Sequence, residues 1–353
     1  MTLGHDFFAK GHFHSPETHE EMVVLFKRSV SNVVVEISSF CNRKCSYCPV
    51  SQVERSRENR LLPDQIFDRV VTDLASIDYE RSVCLNLYNE PTSDRELLLK
   101  RVSVLRQEVP KCRIYFSTNG DYLNRDYLHE LVDAGLSELY VTLHAPRGAS
   151  YSDAYVVGRF SEFAARMGKQ IKVDTVLPQQ SVQGTMNLFG IKLHVFATNY
   201  DLYGSDRAGA IQNLSAKAPK RMAPCDRPFN DFTISYDGTV FPCCQMFADN
   251  DLHRQRYAIG NMADYSSMFE AYASRDMAGW RRTLLRFGPK ASPCDTCSEA
   301  NHEGSAEERR VRDVIYQNLI GQPPEDEVVR VEPGRVSGAP KRRLLPRFQI
   351  FRQ

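Results

Sequence analysis

Three cysteines, Cys41, Cys45 and Cys48, fall within eight residues at C-x3-C-x2-C spacing, directly behind the β-branched run VVVEIS at 33–38. That run reads as a buried strand, so the loop leaving it carries three thiols able to grip one metal centre from a single segment. They stand too close in sequence to pair comfortably as disulfides in a strand–loop context. Thiolates are the usual ligands of iron–sulfur clusters and of structural zinc. A closed site needs four ligands, and this group supplies three, with no histidine in the ten residues that follow. A cubane held by three thiolates leaves one iron open to an outside ligand, as a catalytic cluster would require. A zinc site completed from elsewhere in the chain is the competing reading.

Seven more of the ten cysteines lie further along the 353 residues. Cys84 and Cys112 fall inside apolar, strand-like runs, where packing is the ordinary role of a cysteine. Cys225, the Cys243-Cys244 pair and the C-x2-C pair Cys294 and Cys297 are confined to the C-terminal third. The compartment matters here. The opening MTLGHDFFAKGHFHSPETHEE has no apolar core of a secretion signal, and no run approaches the roughly 18 apolar residues of a membrane span. A cytoplasmic location with no membrane partner is therefore expected, where structural disulfides are rare. With 45 basic and 44 acidic residues, a net charge of +1, nothing argues for a nucleic-acid partner.

Beyond the first cysteine loop, helical and strand patterns alternate. The segment 62–77 has apolar residues at Ile66, Val70, Leu74 and Ile77, a helical period. Strands are expected at 81–88, 112–118, 138–146, 171–178 and 191–198. A Ser93/Glu96 capping box opens a helix at 95–109, Gly135 closes another, and a third lies near 154–167. About six β-α units over residues 30–200 imply an α/β fold of parallel strands with helical crossovers. In such sheets functional residues sit at the C-terminal strand ends. Cys41–Cys48, Asn89-Glu90-Pro91, Asn119-Gly120 and His144 all fall there.

From about residue 222 the pattern changes. Residues 232–244 read as a hairpin around Asp237-Gly238, followed by a long helical stretch at 268–286 and an amphipathic helix at 305–319. The expected organisation is a lead-in over 1–30, with a helix from Ser15-Pro16 to about Lys27, a barrel-like domain over 31–205, a cysteine domain over 206–320, and a proline-rich tail over 321–353 with the basic Lys341-Arg342-Arg343. A solvated tail is favoured over a partner-binding arm.

The C-x3-C-x2-C loop at the end of the first strand of a β/α repeat, with Tyr47 just before the last cysteine, resembles the radical S-adenosylmethionine (SAM) superfamily over roughly 30–200. The resemblance implies a partial (β/α)6 barrel and a [4Fe–4S] cluster on Cys41, Cys45 and Cys48, whose open iron is chelated by SAM. Tyr88-Asn89-Glu90-Pro91 resembles the family's Gly-Gly-Glu-Pro segment, which binds the SAM amino group. Both glycines are replaced, but Glu90 keeps a carboxylate that accepts from an ammonium. Ser117 and Asn119 match the polar third-strand end, and Thr142 and His144 the next rim positions. For His144, a core-edge histidine bonded to backbone is the alternative.

The C-terminal region is similar to the SPASM/twitch extensions of the same superfamily. This implies one auxiliary [4Fe–4S] cluster on Cys225, Cys243, Cys294 and Cys297, with a four-cysteine zinc site as the alternative. No cysteine follows Cys297, so a second auxiliary cluster is not expected. Ser205-Asp206-Arg207-Ala208-Gly209 resembles the Asn-Arg-Ala-Gly segment of members acting on sugars and aminocyclitols, which implies that Arg207 faces substrate. A surface ion pair of Arg207 with Asp206 or Asp201 is the bland alternative.

The resemblance implies reductive cleavage of SAM to a 5′-deoxyadenosyl radical, which abstracts hydrogen from a small polar metabolite such as a sugar, aminocyclitol or nucleoside in natural-product biosynthesis. Dehydrogenation and epimerisation are the expected outcomes, with Cys244 as the thiol to test for hydrogen return. Dehydration, sulfur insertion and modification of a ribosomal peptide are the other branches. About 30 residues before the first strand are too few for a peptide-leader domain. A flavodoxin- or ferredoxin-type reductant is implied. A non-enzymatic iron–sulfur carrier is the alternative from another class.

Overall fold

A computed structural model describes residues 5–321 of the chain, apart from 56, 146–147 and 216–218. The expected tail at 321–353 lies outside the described residues except for Gly321. Ten strands form one sheet: β1 (Asn32–Val35), β2 (Ser82–Cys84), β3 (Arg113–Thr118), β4 (Glu138–Thr142), β5 (Lys172–Leu177), β6 (Ser181–Leu188), β7 (Ile191–Thr198), β8 (Asp231–Ile234), β9 (Thr239–Phe241) and β10 (Gly260–Asn261). Their order across the sheet is β10-β9-β8-β1-β2-β3-β4-β7-β6-β5. Helix α1 (His19–Ser29) leads in, and α2 (Asp64–Ser76), α3 (Arg95–Glu108), α4 (Arg125–Asp133) and α5 (Asp153–Met167) follow β1 to β4 in turn. The apolar stripe of α2, Ile66, Phe67, Val70, Val71 and Leu74, is buried in one core with Val33, Val35, Val83, Ile114 and Leu139 of the strands.

The parallel part of the sheet has six strands, but they are not the six expected. β8, β1, β2, β3, β4 and β7 run parallel. The expected fifth strand, here β5, instead pairs antiparallel with β6, which pairs antiparallel with β7. The linkers explain this. Gln179 (φ 58°) turns the chain between β5 and β6, and Phe189 and Gly190 (φ 53° and 85°) form the two-residue turn into β7. Turns this tight join only antiparallel neighbours. The sixth parallel strand, β8, comes from beyond Cys225, so the segment expected to form a second domain adds its hairpin to the first sheet.

Three helix boundaries also differ. Helix α1 begins at His19, not near Ser15, because Thr18 and Glu21 form a reciprocal capping box. Asp94, not Ser93, caps α3 by accepting from Leu97 N at 3.1 Å, while Ser93 Oγ donates to Glu90 O. The long helix expected at 268–286 is two, Met268–Tyr272 and Arg275–Leu284, with Ser274 capping the second.

The sheet curls. β1 and β7 are separated by three strands, yet the segments leaving them touch. The rings of Tyr47 and Tyr200 lie 4.7 Å apart, Ser46 Oγ donates to Asp201 at 3.0 Å, and Gln52 Nε2 donates to Ala210 O at 2.7 Å. The first cysteine loop is closed at its base by a buried ion pair. Arg55 Nη1 reaches Glu36 Oε1 at 2.8 Å, with both side chains fully buried. Glu36 also accepts from Tyr88 N, Ser235 Oγ and Tyr236 N. Arg55 Nε donates to Asp249 at 2.7 Å, and its guanidinium stacks over Phe247.

Removing one member of such a pair strands the other charge in the core. Arg55→Met is expected to lower stability by about 3–5 kcal/mol, read as a lower urea midpoint. Pairing it with Glu36→Gln is expected to recover part of that loss.

A second buried group makes the fold acid-sensitive. His12 sits among Phe8, Phe13 and Phe229, with Nε2 bonded to Ser29 Oγ at 2.8 Å and Nδ1 accepting from Ala9 N. Burial, helped by the Arg281 charge, pushes its pKa down to about 2. The unfolded chain therefore binds a proton there that the native chain refuses, and stability falls as pH drops below the ordinary histidine value. From about pH 7.5 to about pH 5.5 this amounts to about 1.4 kcal/mol. His12→Gln is expected to flatten that part of the urea-measured pH dependence. Equal slopes in variant and parent would refute the assignment.

Candidate active site

The loop leaving β1 is fastened on both sides. Arg43 makes a two-point contact to Asp121 at 2.6 Å, and Asn42 Nδ2 donates to the same carboxylate at 2.9 Å. Cys48 N donates to Cys45 O at 3.0 Å, giving the tight turn that brings the last two thiols together. All three thiols are half-buried and unpaired. Burial pushes Cys41 up to about 12, and the neighbouring Glu90, Cys48 and Cys45 add repulsion in the same direction. Burial also raises Cys45 and Cys48. Three crowded thiols that resist ionisation alone are a donor set suited to a cationic centre, which removes their protons on binding.

Around this loop stand the rim residues. Glu90 is buried. Its Oε1 accepts from Thr92 N, Thr92 Oγ1 and Thr118 Oγ1, and its Oε2 from Asn119 N at 2.7 Å. One acceptor position of Oε2 is left over. Asn89 turns inward, donating to Ser38 Oγ and accepting from Leu87 N. Asn119 donates to Asn42 Oδ1 at 2.8 Å, which ties the third-strand end to the cysteine loop, and Ser117 N donates to Asn86 Oδ1. Thr142 closes β4 and is buried. His144 Nδ1 lies 2.7 Å from the Tyr47 hydroxyl, and burial pushes its pKa down to about 3, so the ring is neutral. The backbone-bonded alternative for this ring is not what the structure shows, since its partner is the aromatic residue before Cys48. A cavity of about 460 Å³ opens beside Cys45, lined by Arg43, Tyr47, Tyr151, Tyr155 and Tyr200. That is the size of a small-molecule site.

The second set of thiols lies beyond the β8–β9 hairpin. Cys243 lies near Cys225 and Cys294 as well as its neighbour Cys244, and Cys294 lies near Cys225 and Cys297. Burial raises all four, Cys297 to about 11. Cys244, one residue on, turns to different neighbours: Arg227, Asp231 and Arg207. Among the described residues no group of three or more His, Cys, Asp or Glu is placed to hold a single metal ion. A zinc ion would draw its sulfurs to within about 2.3 Å of one point, whereas a four-iron cluster holds its thiolates further apart.

Arg207 joins the two sets. It begins a turn of three consecutive left-handed residues, Arg207, Ala208 and Gly209 (φ 53°, 55° and 81°). Two of them carry side chains, so the turn is strained and must be held by its surroundings. His253 Nε2 donates to Ala208 O at 3.0 Å, and Thr296, within the C-x2-C loop, donates to Asp206 at 2.5 Å. Arg207 Nη1 donates to Gln245 Oε1 at 3.2 Å, and the charge stands beside Tyr88, Cys48 and Cys244. It pairs with neither Asp206 nor Asp201, whose bonds go to Thr296 and Ser46. Arg207 Nε is buried with no hydrogen-bond partner.

Sequence reasoning missed several residues here. Tyr200 was findable, because it follows a strand at the same rim. Arg43, Asp121 and Gln245 carried no local signal.

Residues 35–176 match the radical SAM superfamily, and residues 225–298 match the SPASM iron–sulfur cluster-binding domain. The chain carries a radical SAM domain and, C-terminal to it, a SPASM domain. It is similar to the S-adenosyl-L-methionine-dependent 2-deoxy-scyllo-inosamine dehydrogenase of Niallia circulans, at 26% identity over 272 residues, 77% of this chain and 93% of that one. The crystal structure of BtrN in complex with AdoMet and 2-DOIA aligns at TM-score 0.53 and 22% identity, covering 77% of this chain and 94% of that one, and shares the fold. The chain is thus an enzyme whose cofactors are SAM, a SAM-binding [4Fe–4S] cluster and an auxiliary iron–sulfur cluster. Among the described residues no helix is long and apolar enough to cross a membrane.

If the two thiol sets load independently, replacing Cys41, Cys45 and Cys48 together by alanine leaves about four irons per chain after anaerobic reconstitution. An iron-free triple variant would show that the second set holds no cluster.

Proposed function

We propose that the enzyme dehydrogenates a secondary alcohol of an aminocyclitol or closely related polyol in natural-product biosynthesis. The observation that carries this is the placement of Arg207, a buried cation with a free Nε donor, between the first thiol set and the hairpin of the second. The similarity to a dehydrogenase across 93% of its length supports the same reading. When bound, SAM and the first cluster supply the radical that takes hydrogen from carbon, and the auxiliary cluster supplies the acceptor for the electron left behind.

On this reading Cys41, Cys45 and Cys48 hold the first cluster, and Cys225, Cys243, Cys294 and Cys297 the second. Glu90, through its remaining Oε2 position, accepts from the SAM ammonium, and Ser117, Asn119 and Thr142 complete the polar rim. Tyr47, fixed by His144, closes the rim beside Cys45, where neutral His144 adds no charge to repel the sulfonium. Asn89 holds the rim from below through Ser38. Arg207 donates to a substrate hydroxyl, and its fork geometry makes lysine a poor substitute. A flavodoxin- or ferredoxin-type protein delivers the first electron, in the cytoplasm.

The test is anaerobic turnover of iron-replete enzyme with SAM, dithionite and 2-deoxy-scyllo-inosamine. A ketone formed with one 5′-deoxyadenosine is the expected product. Arg207→Lys is expected to raise KM at least about tenfold while SAM cleavage persists. An epimer in place of the ketone would overturn dehydrogenation, and Cys244→Ala would then abolish the epimer. For a dehydrogenase, Cys244→Ala leaves ketone formation intact.

A further inference from the structure

Arg221 is buried, four residues before the first auxiliary cysteine, yet it has no carboxylate partner among the described residues. Its guanidinium is spent on neutral carbonyls. Nε donates to Ala223 O at 3.1 Å, Nη2 to Pro224 O at 2.6 Å, and Nη1 to Cys297 O at 3.3 Å and Glu299 O at 2.6 Å. Its backbone N–H donates to Asp295 O at 2.7 Å. One side chain therefore ties the segment entering Cys225 to the loop holding Cys294 and Cys297.

Carbonyls satisfy the donors but not the charge, and a desolvated guanidinium without an anion costs several kcal/mol. What lies beside it is thiol: Cys225, Cys294 and Cys297 each feel its charge. Lys290 repeats the pattern. Its Nζ donates to Arg286 O and Gly288 O, and it stands beside Cys294 and Cys225. Asp226, the carboxylate nearest Cys225 in sequence, is already held by Arg312 at 3.1 Å. Arg221 and Lys290 thus stand beside Cys225 and Cys294 with no carboxylate partner among the described residues, while the buried Asp206 lies on the Cys297 side; a cluster on four thiolates carries net negative charge that matches the two cations.

We propose that Arg221 is the positioning residue of the auxiliary site: it fastens the two cysteine-bearing segments and supplies the fixed positive charge that raises the bound cluster's affinity for an electron. The inference rests on the reading that these four cysteines hold the auxiliary cluster. The electron is the one left on the substrate radical; the cluster would accept it as the substrate carbon becomes a carbonyl and the hydroxyl proton passes to water. Each added electron increases the negative charge beside a fixed guanidinium, so the reduced state gains more than the oxidised one.

The experiment uses the full chain with Cys41, Cys45 and Cys48 replaced by alanine, so that only the auxiliary cluster gives a signal. A dithionite titration with redox mediators, followed by electron paramagnetic resonance, reads its midpoint. Arg221→Gln is expected to keep the iron content but weaken electron affinity at least about tenfold, which is about 59 mV for a one-electron couple. Arg221→Lys, which keeps the charge, is expected to stay near the parent. An unmoved midpoint in Arg221→Gln overturns the proposal. Should that variant load no iron, Arg221→Lys decides: a loaded cluster at the parent midpoint supports the proposal, while an empty or shifted one overturns the charge assignment. A parent without iron overturns the cluster reading itself, and the inference with it.

Discussion

The Glu36–Arg55 ion pair is the constraint on which the site depends. Glu36 directly follows the first strand and Arg55 ends the cysteine loop, so the pair closes that loop on itself at the sheet. The same carboxylate accepts from the backbone of Tyr88, at the Glu90 rim, and from Ser235 and Tyr236, at the end of the β8 strand. One buried anion thereby gathers the C-terminal ends of three neighbouring strands. Burying two charges is favourable only when such partners complete them. The first cysteine loop, the rim and the β8–β9 hairpin are consequently held in one frame, and Asp249 and Phe247 extend it past Cys243 and Cys244.

Within that frame the two thiol sets are held by unlike devices. The first rests on anionic and neutral clamps, with Asp121 gripping Arg43 and Asn42 and Glu54 pairing with Lys44, so the loop's own cations are neutralised. The second is surrounded by cations whose donors go to backbone carbonyls. The strained Arg207 turn lies between them, braced by Gln52 from the first loop and by His253 and Thr296 from the second. A side chain held this way is preorganised, which lowers the ordering cost of binding.

The first cysteine set was legible because its three thiols are local, and a loop of eight residues must keep them together whatever the fold. Glu90, Asn119, Thr142 and His144 were legible as a group because β-α alternation places strand ends on one rim. The hairpin at Asp237-Gly238 announced itself by its turn. Its pairing partner did not, since no residue of Asp231–Ile234 encodes that it will lie against β1 rather than in a sheet of its own. The antiparallel turn of β5 was missed because its apolar run matches a parallel strand, and only the short linkers exclude a crossover. Glu36 lies in an apolar run and Arg55 and Arg221 lie in polar segments, so nothing local marks the partners they take.

By itself, then, the sequence determined the donor set, the class of chemistry and the order of the elements, because thiol spacing and hydrophobic period are short-range properties. Only the tertiary structure decided which strands share the sheet, that Cys244 stands beside Arg227, and that Arg207 stands free of Asp206 and Asp201. The reason is electrostatic as much as steric. A polar or charged group takes its meaning from partners far away in the chain, such as Asn86 for Ser117, Glu36 for Ser235 and Cys297 for Arg221, and spacing along the chain carries no record of them.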